Sequence, residues 1–182
     1  TLGCDIRFGH QLTDLSQQSG ALRSITVTTE NSTYSLPCEQ LILALGHSAR
    51  DSFSMLYQRK VPMEAKAFAV GVRIEHRQKD INAAQYKAFA GHPALPPTSY
   101  KLSCHLADGR GVFSFCVCPG GQVVAAASEE GMVATNGMSE YARDRENING
   151  GLLVGVGPED FGSSHPLAGI RFQQQLERAA FI

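Results

Sequence analysis

The chain has 182 residues, 43% of them hydrophobic, enough to bury a core as one domain or as a compact domain with part of another. With 16 Lys and Arg against 17 Asp and Glu the net charge is -1, and no short window is strongly basic, which argues against a nucleic-acid surface that tracks phosphates. The longest apolar runs fall far short of the ~20 residues that cross a bilayer. The opening residues do not read as a signal peptide, and five cysteines, an odd number, point to free thiols in a reducing, cytoplasmic compartment.

In chain order, Cys4 to Phe8 alternates weakly and reads as a strand that Gly9 to Leu15 continues. A polar loop, Ser16 to Gly20, precedes a half-exposed strand over Leu22 to Thr29 and, after a turn at Asn31-Ser32, a short return strand at Tyr34 to Leu36. Leu41 to Leu45 is a short apolar run of the kind that forms a strand buried on both faces, ended by Gly46. His47 and Ser48 lead into a helix, with Ser48-x-x-Asp51 spaced as a capping box. Strand, glycine and capped helix in that order place unpaired N–H groups and a positive dipole end at the strand's carboxyl edge, where polar or anionic ligands bind in α/β proteins.

Phe53, Leu56 and Tyr57 carry a helix over Asp51 to Lys60 that Pro62 stops. Phe68 to Ile74 alternates large and small residues as a strand with Glu75-His76 at its end, and Lys79 to Tyr86 reads as a short helix. Strands follow at Tyr100 to His105, Val112 to Val117, Val123 to Ala127 and Leu152 to Val156, separated by Asp108-Gly109, Pro119-Gly120-Gly121 and Glu130-Gly131. Asn136 to Ser139 and Asn147 to Gly150 read as fixed polar loops of the sort that serve sites, and Pro166 opens a last helix. The pattern predicts an α+β chain whose strand-rich part is an antiparallel sheet or a small barrel.

The run ending Ala44-Leu45-Gly46 resembles the second flavin-contacting strand of two-dinucleotide-binding-domain flavoproteins, with leucine where their pattern has threonine. Together with KAFAVGVRIEH, SFCVCPGG and NGMS it makes the chain similar to the FAD-dependent, NAD(FAD)-utilising dehydrogenases. The resemblance implies part of a Rossmann-like FAD-binding domain over residues 1–60, an inserted strand-rich domain over 61–165, and a helix over 166–182 returning toward the FAD domain. It implies flavin-mediated hydride transfer, FAD as cofactor, NAD(P) as a co-substrate, a small-molecule substrate, and neither nucleic acid nor membrane as a partner. Leu12 is matched to a segment laid against the adenine, with a plain core role as the alternative, and Ala44, Leu45, Gly46, His47 and Ser48 to the flavin-contacting turn.

The sequence starts without methionine and contains no GxGxxG phosphate loop, so an excised piece of a longer oxidoreductase, inactive and unable to hold FAD firmly by itself, is expected. The whole assignment leans on Leu41 to Leu45 lying inside a nucleotide-binding sheet.

Chemistry is densest at Phe115 to Gly121. Cys116 and Cys118, two apart on a strand, are expected to share a face, either as a redox pair whose thiols the glycine-rich turn acidifies or as small packed residues. His76 beside Glu75 is a candidate acid or base, or a surface contact. Cys104, His105, Cys116, Cys118 and His76 offer zinc ligand types, but without CxxC or HxxxH spacing no metal site is assigned. Glu129, Glu130, Arg143 and Asn147 are further polar candidates, and Arg73 and Lys66 can face an anionic substrate if the sheet covers a site. A non-catalytic ligand- or protein-binding module, or a small zinc-binding domain, is the alternative.

Overall fold

The computed structural model describes residues 3–181. The chain divides into two compact units, one ending at Glu64 and the other beginning at Ala65. No helix among the described residues is long and apolar enough to cross a membrane.

The first unit is an antiparallel meander of β1 (Gln11–Gln18), β2 (Ala21–Thr28) and β3 (Thr33–Pro37), with helix α1 (Arg50–Gln58) beside β1. Ser19 and Gly20 both have positive φ, 52° and 77°, which suits the two-residue turn closing β1 onto β2. That turn extends β1 through the stretch expected as a loop, pairing Ser16 with Ser24 and Gln18 with Ala21. Leu15, Val27 and Leu56 are the buried apolar residues, and Arg59 Nε donates to Asp14 Oδ1 at 2.6 Å, tying the end of α1 to β1.

Three further expectations fail in this unit. Residues 4 to 8 are no strand, and Ile6 and Phe8 are exposed. Leu41 to Leu45 is not a buried strand either: it bonds to no strand among the described residues, Ile42 is 92% exposed, and Leu43 is 42% exposed. An apolar run becomes a two-sided buried strand only where neighbouring strands supply ladder bonds and cover. Nor does Ser48 cap the helix; Ala49 takes that position without a side-chain cap bond.

The second unit is an open antiparallel sheet, not a closed barrel, so the chain as a whole is α+β. Its strands are β4 (Phe68–Arg77), β5 (Ser103–His105), β6 (Gly111–Ala126), β7 (Ala134–Ser139) and β8 (Asn147–Val156), in the order β4-β8-β6-β5, with β7 also on β6. Helices α2 (Gln78–Tyr86) and α3 (Ala168–Phe181) complete it. The β4–β8 register runs without interruption from Phe68↔Val156 to Arg77↔Asn147. Strand alternation therefore sets Phe68, Val70, Val72, Ile74 and His76 on one face and Ala69, Gly71, Arg73 and Glu75 on the other. At one end of the first face Phe68 stacks on Phe161 at 5.1 Å and meets Phe172 of α3 edge-on at 6.3 Å. Arg110 closes the sheet's margin by gripping Asp160 with two bonds of 2.8 and 2.9 Å and the Gly155 carbonyl with a third.

β6 is one strand where two were expected. Pro119-Gly120-Gly121 does not break it; the register against β8 slips between Phe115 and Cys118 and again between Cys118 and Gly121. Each slip sets two residues of β6 against one of β8, which is how a bulge takes up an extra residue and bends the strand. Proline, lacking an N–H, and a glycine with φ of 49° are tolerated at bulges and not in regular ladder. Residues 136–139 and 147–150 are likewise strand, in β7 and β8, and not the polar loops expected.

Candidate functional site

The double bulge gathers a polar cluster on one face of the sheet. Arg73 stands opposite Gly151, and Asn149 opposite both Glu75 and Cys118, so Arg73, Asn149 and Cys118 project from the same side. Arg73 Nη1 donates to Asn149 Oδ1 at 2.7 Å and to the Cys116 carbonyl at 3.1 Å. A guanidinium has donors only, so it fixes which end of the amide faces it. The other end, Asn149 Nδ2, has no hydrogen-bond partner, although Asn149 is 0% exposed. β7 crosses close over the pair at Gly137, where a Cβ would lie 2.1 Å from Arg73 Nη1 and 2.3 Å from Asn149 Oδ1.

The bulge separates the two cysteines that strand alternation was expected to align. Cys116 has φ of 46° and is exposed, whereas Cys118 is buried, its thiol 3.4 Å from the Cys116 carbonyl. Burial pushes the Cys118 thiol up, with the neighbouring Cys116 adding to it, and Arg73 opposes only in part. A glycine-rich turn therefore does not acidify this thiol, because desolvation outweighs the local donors.

His76 lies across the sheet from this cluster. It pairs with Ile148, and its ring meets Tyr100 edge-on at 5.8 Å. The Tyr100 hydroxyl is buried without a partner, seated over Gly150 where a Cβ would come within 2.9 Å. Burial raises the phenol's pKa against the pull of Arg73, so it stays protonated. His76 and the cysteines thus do not form one site.

Gln78, the first residue of α2, holds the bulge from beneath. Its Oε1 accepts the Gly120 N–H at 2.8 Å, and its Nε2 donates to Thr98 O at 2.9 Å and Asn82 Oδ1 at 2.8 Å. Gln78 and Tyr100 escaped the sequence reading as site residues, whereas Gly137 and Asn149 fall in the two segments it expected to serve sites, though as strand and not as loops. The signal that marked both segments was their clustering of asparagine and glycine, and what it missed was their strand character.

The remaining expected residues are scattered. Leu12 is half-buried in β1 opposite Val27. Ala44, Gly46, His47 and Ser48 are exposed and Leu45 half-buried, with Gly46 at φ 70° and nothing within 4 Å of where its Cβ would be. Cys104, His105, Glu130 and Lys66 are exposed; among the described residues no three His, Cys, Asp or Glu side chains are placed to share a metal ion. Arg143 presents its backbone carbonyl toward Gly120, and Asn147 begins β8.

These features define an α+β protein whose open antiparallel sheet carries a buried, incompletely satisfied polar cluster at a doubly bulged strand. Residues 67–182 match the family described as FAD-dependent protein, C-terminal domain-like, and the chain belongs to that family. It is also 50% identical over 181 residues to a protein of Clostridium beijerinckii (strain ATCC 51743 / NCIMB 8052) described as "Uncharacterized protein". That match covers 99% of this chain and 33% of the relative, so the chain spans about a third of the relative's length. The family match falls within the second unit and does not depend on Leu41 to Leu45. The buried strand on which the whole assignment was expected to lean is absent, so the argument from it falls, and the family match over residues 67–182 is what supports a link to FAD.

Proposed function

We propose that this chain is part of an FAD-dependent oxidoreductase that passes a hydride between a nicotinamide or organic substrate and the flavin. The observation that carries the reading is the family match over residues 67–182. When bound, FAD would supply the redox chemistry, and the protein's share is orientation, exclusion of water and choice of substrate.

In this reading Ala44, Leu45, Gly46, His47 and Ser48 form the turn that the flavin lies against, with Leu12 toward the adenine. The exposure of Ile42 and Leu43 supports it, since apolar surface of that kind costs about 25 cal/mol per Å² while it stays in water. The second unit is the substrate-recognising lobe, and five free thiols favour a reducing, cytoplasmic setting.

Flavin content tests this. The purified Clostridium beijerinckii relative should carry stoichiometric FAD, and the 182-residue chain, without a GxGxxG loop, should carry little. A relative that purifies and refolds without binding FAD would refute the assignment.

A further inference from the structure

We propose that the cluster of Arg73, Asn149 and Gly137 is a recognition site for a carboxylate group on the substrate. The inference rests on the oxidoreductase reading above and adds the chemical class of what that enzyme takes.

Charge supplies the first argument. Arg7, Arg59, Arg110 and Arg145 each lie against an Asp or Glu. Half-buried Arg73 has no such partner among the described residues: its Nη1 donates to two neutral oxygens, and it also lies against the Cys118 thiol, which burial keeps neutral. A guanidinium drawn partly out of water with only neutral acceptors keeps an unbalanced charge. Its planar fork suits a carboxylate, which it binds through two parallel bonds.

The second argument is the buried amide. Asn149 Nδ2 offers two N–H donors with no acceptor, in a residue fully shielded from solvent. An orphaned buried donor of this kind costs about 1–3 kcal/mol unless something binds it. Arg73 holds the amide so that these donors are the part left over, and the two groups present nothing but donors, which an oxygen anion satisfies.

Gly137 makes the third. Any side chain there would collide with the terminal atoms of both Arg73 and Asn149. These are the far ends of side chains, so Gly137→Ala would displace them without breaking the sheet.

Side-chain NMR of the labelled 182-residue chain tests the proposal, with acetate as probe and acetamide as its neutral isostere. Acetate should shift the Asn149 Nδ2 and Arg73 Nε signals saturably, with a dissociation constant on the order of millimolar for so small a ligand. Acetamide should not. Arg73→Lys keeps the charge and loses the fork, and should weaken acetate by about tenfold; Gly137→Ala should do the same with the backbone spectrum otherwise retained. Equal responses to acetate and acetamide, or none, would overturn the site and mean that the cluster holds only solvent. Because this titration involves no flavin, its failure alongside FAD in the longer relative would remove the carboxylate site alone.

Discussion

Gly120→Ala should unfold the second unit more readily than any other single-methyl addition at the bulges. Gly120 has φ of 49°, where a Cβ alone costs about 1–2 kcal/mol. The added atom would also sit 1.8 Å from the carbonyl oxygen and 2.2 Å from the carbonyl carbon of Arg143. Both are backbone atoms, so relief requires moving the segment before β8, not rotating a side chain. The expected loss exceeds about 3 kcal/mol, a size reserved for strain and overpacking at constrained backbone. Gly155→Ala, in the same sheet with nothing within 4 Å of its Cβ, serves as the control and should stay within about 0.5 kcal/mol. Denaturant midpoints of the two variants decide it: similar midpoints would mean that the crowding at Gly120 is absent in solution.

Replacing Gln78 should cost nearly as much through a different mechanism. Its side chain is 7% exposed and is bonded to three partners on three segments. Gln78→Ala leaves the Gly120 N–H and the Thr98 carbonyl without their partner, at about 1–3 kcal/mol for each buried group abandoned, so about 3 kcal/mol together. Gln78→Met preserves most of the volume and none of the hydrogen bonds, and should lose a similar amount. A neutral Gln78→Met beside a damaging Gln78→Ala would assign the effect to packing and contradict the polar account. Both changes act on the bulge that sets Cys118 and Asn149 in place, so the Arg73 and Asn149 side-chain signals should also broaden or move.

Where periodicity alone decides structure, the sequence was sufficient. Leu22 to Thr29, Phe68 to Ile74 and the helix around Phe53, Leu56 and Tyr57 all form as their spacing dictates. Pro119-Gly120-Gly121 misled because turns and bulges demand the same residues: one needs a missing N–H and a positive φ to reverse the chain, the other to bend it. Asn147 to Gly150 misled similarly, glycine being used there for close approach within a strand, as at Gly150 beneath Tyr100. The cysteine alignment then failed because alternation resets at each bulge, and with it the reason to group His76 with Cys118.

Arg73 was legible as a cation suited to an anion and Asn149 only as one member of the polar segment Asn147 to Gly150; that the two meet was not, since it depends on the β4–β8 register. Leu41 to Leu45 shows a different limit. Its apolar character fits a buried strand, yet a strand's burial belongs to its neighbours, and among the described residues none bonds to it.

Hydrogen exchange on the Clostridium beijerinckii relative, with and without FAD, is the most direct test of the flavoprotein account. The peptide equivalent to residues 41–48 should exchange slowly with FAD bound and markedly faster once it is stripped. Identical exchange in the two states would place the flavin elsewhere and contradict the role given to this segment.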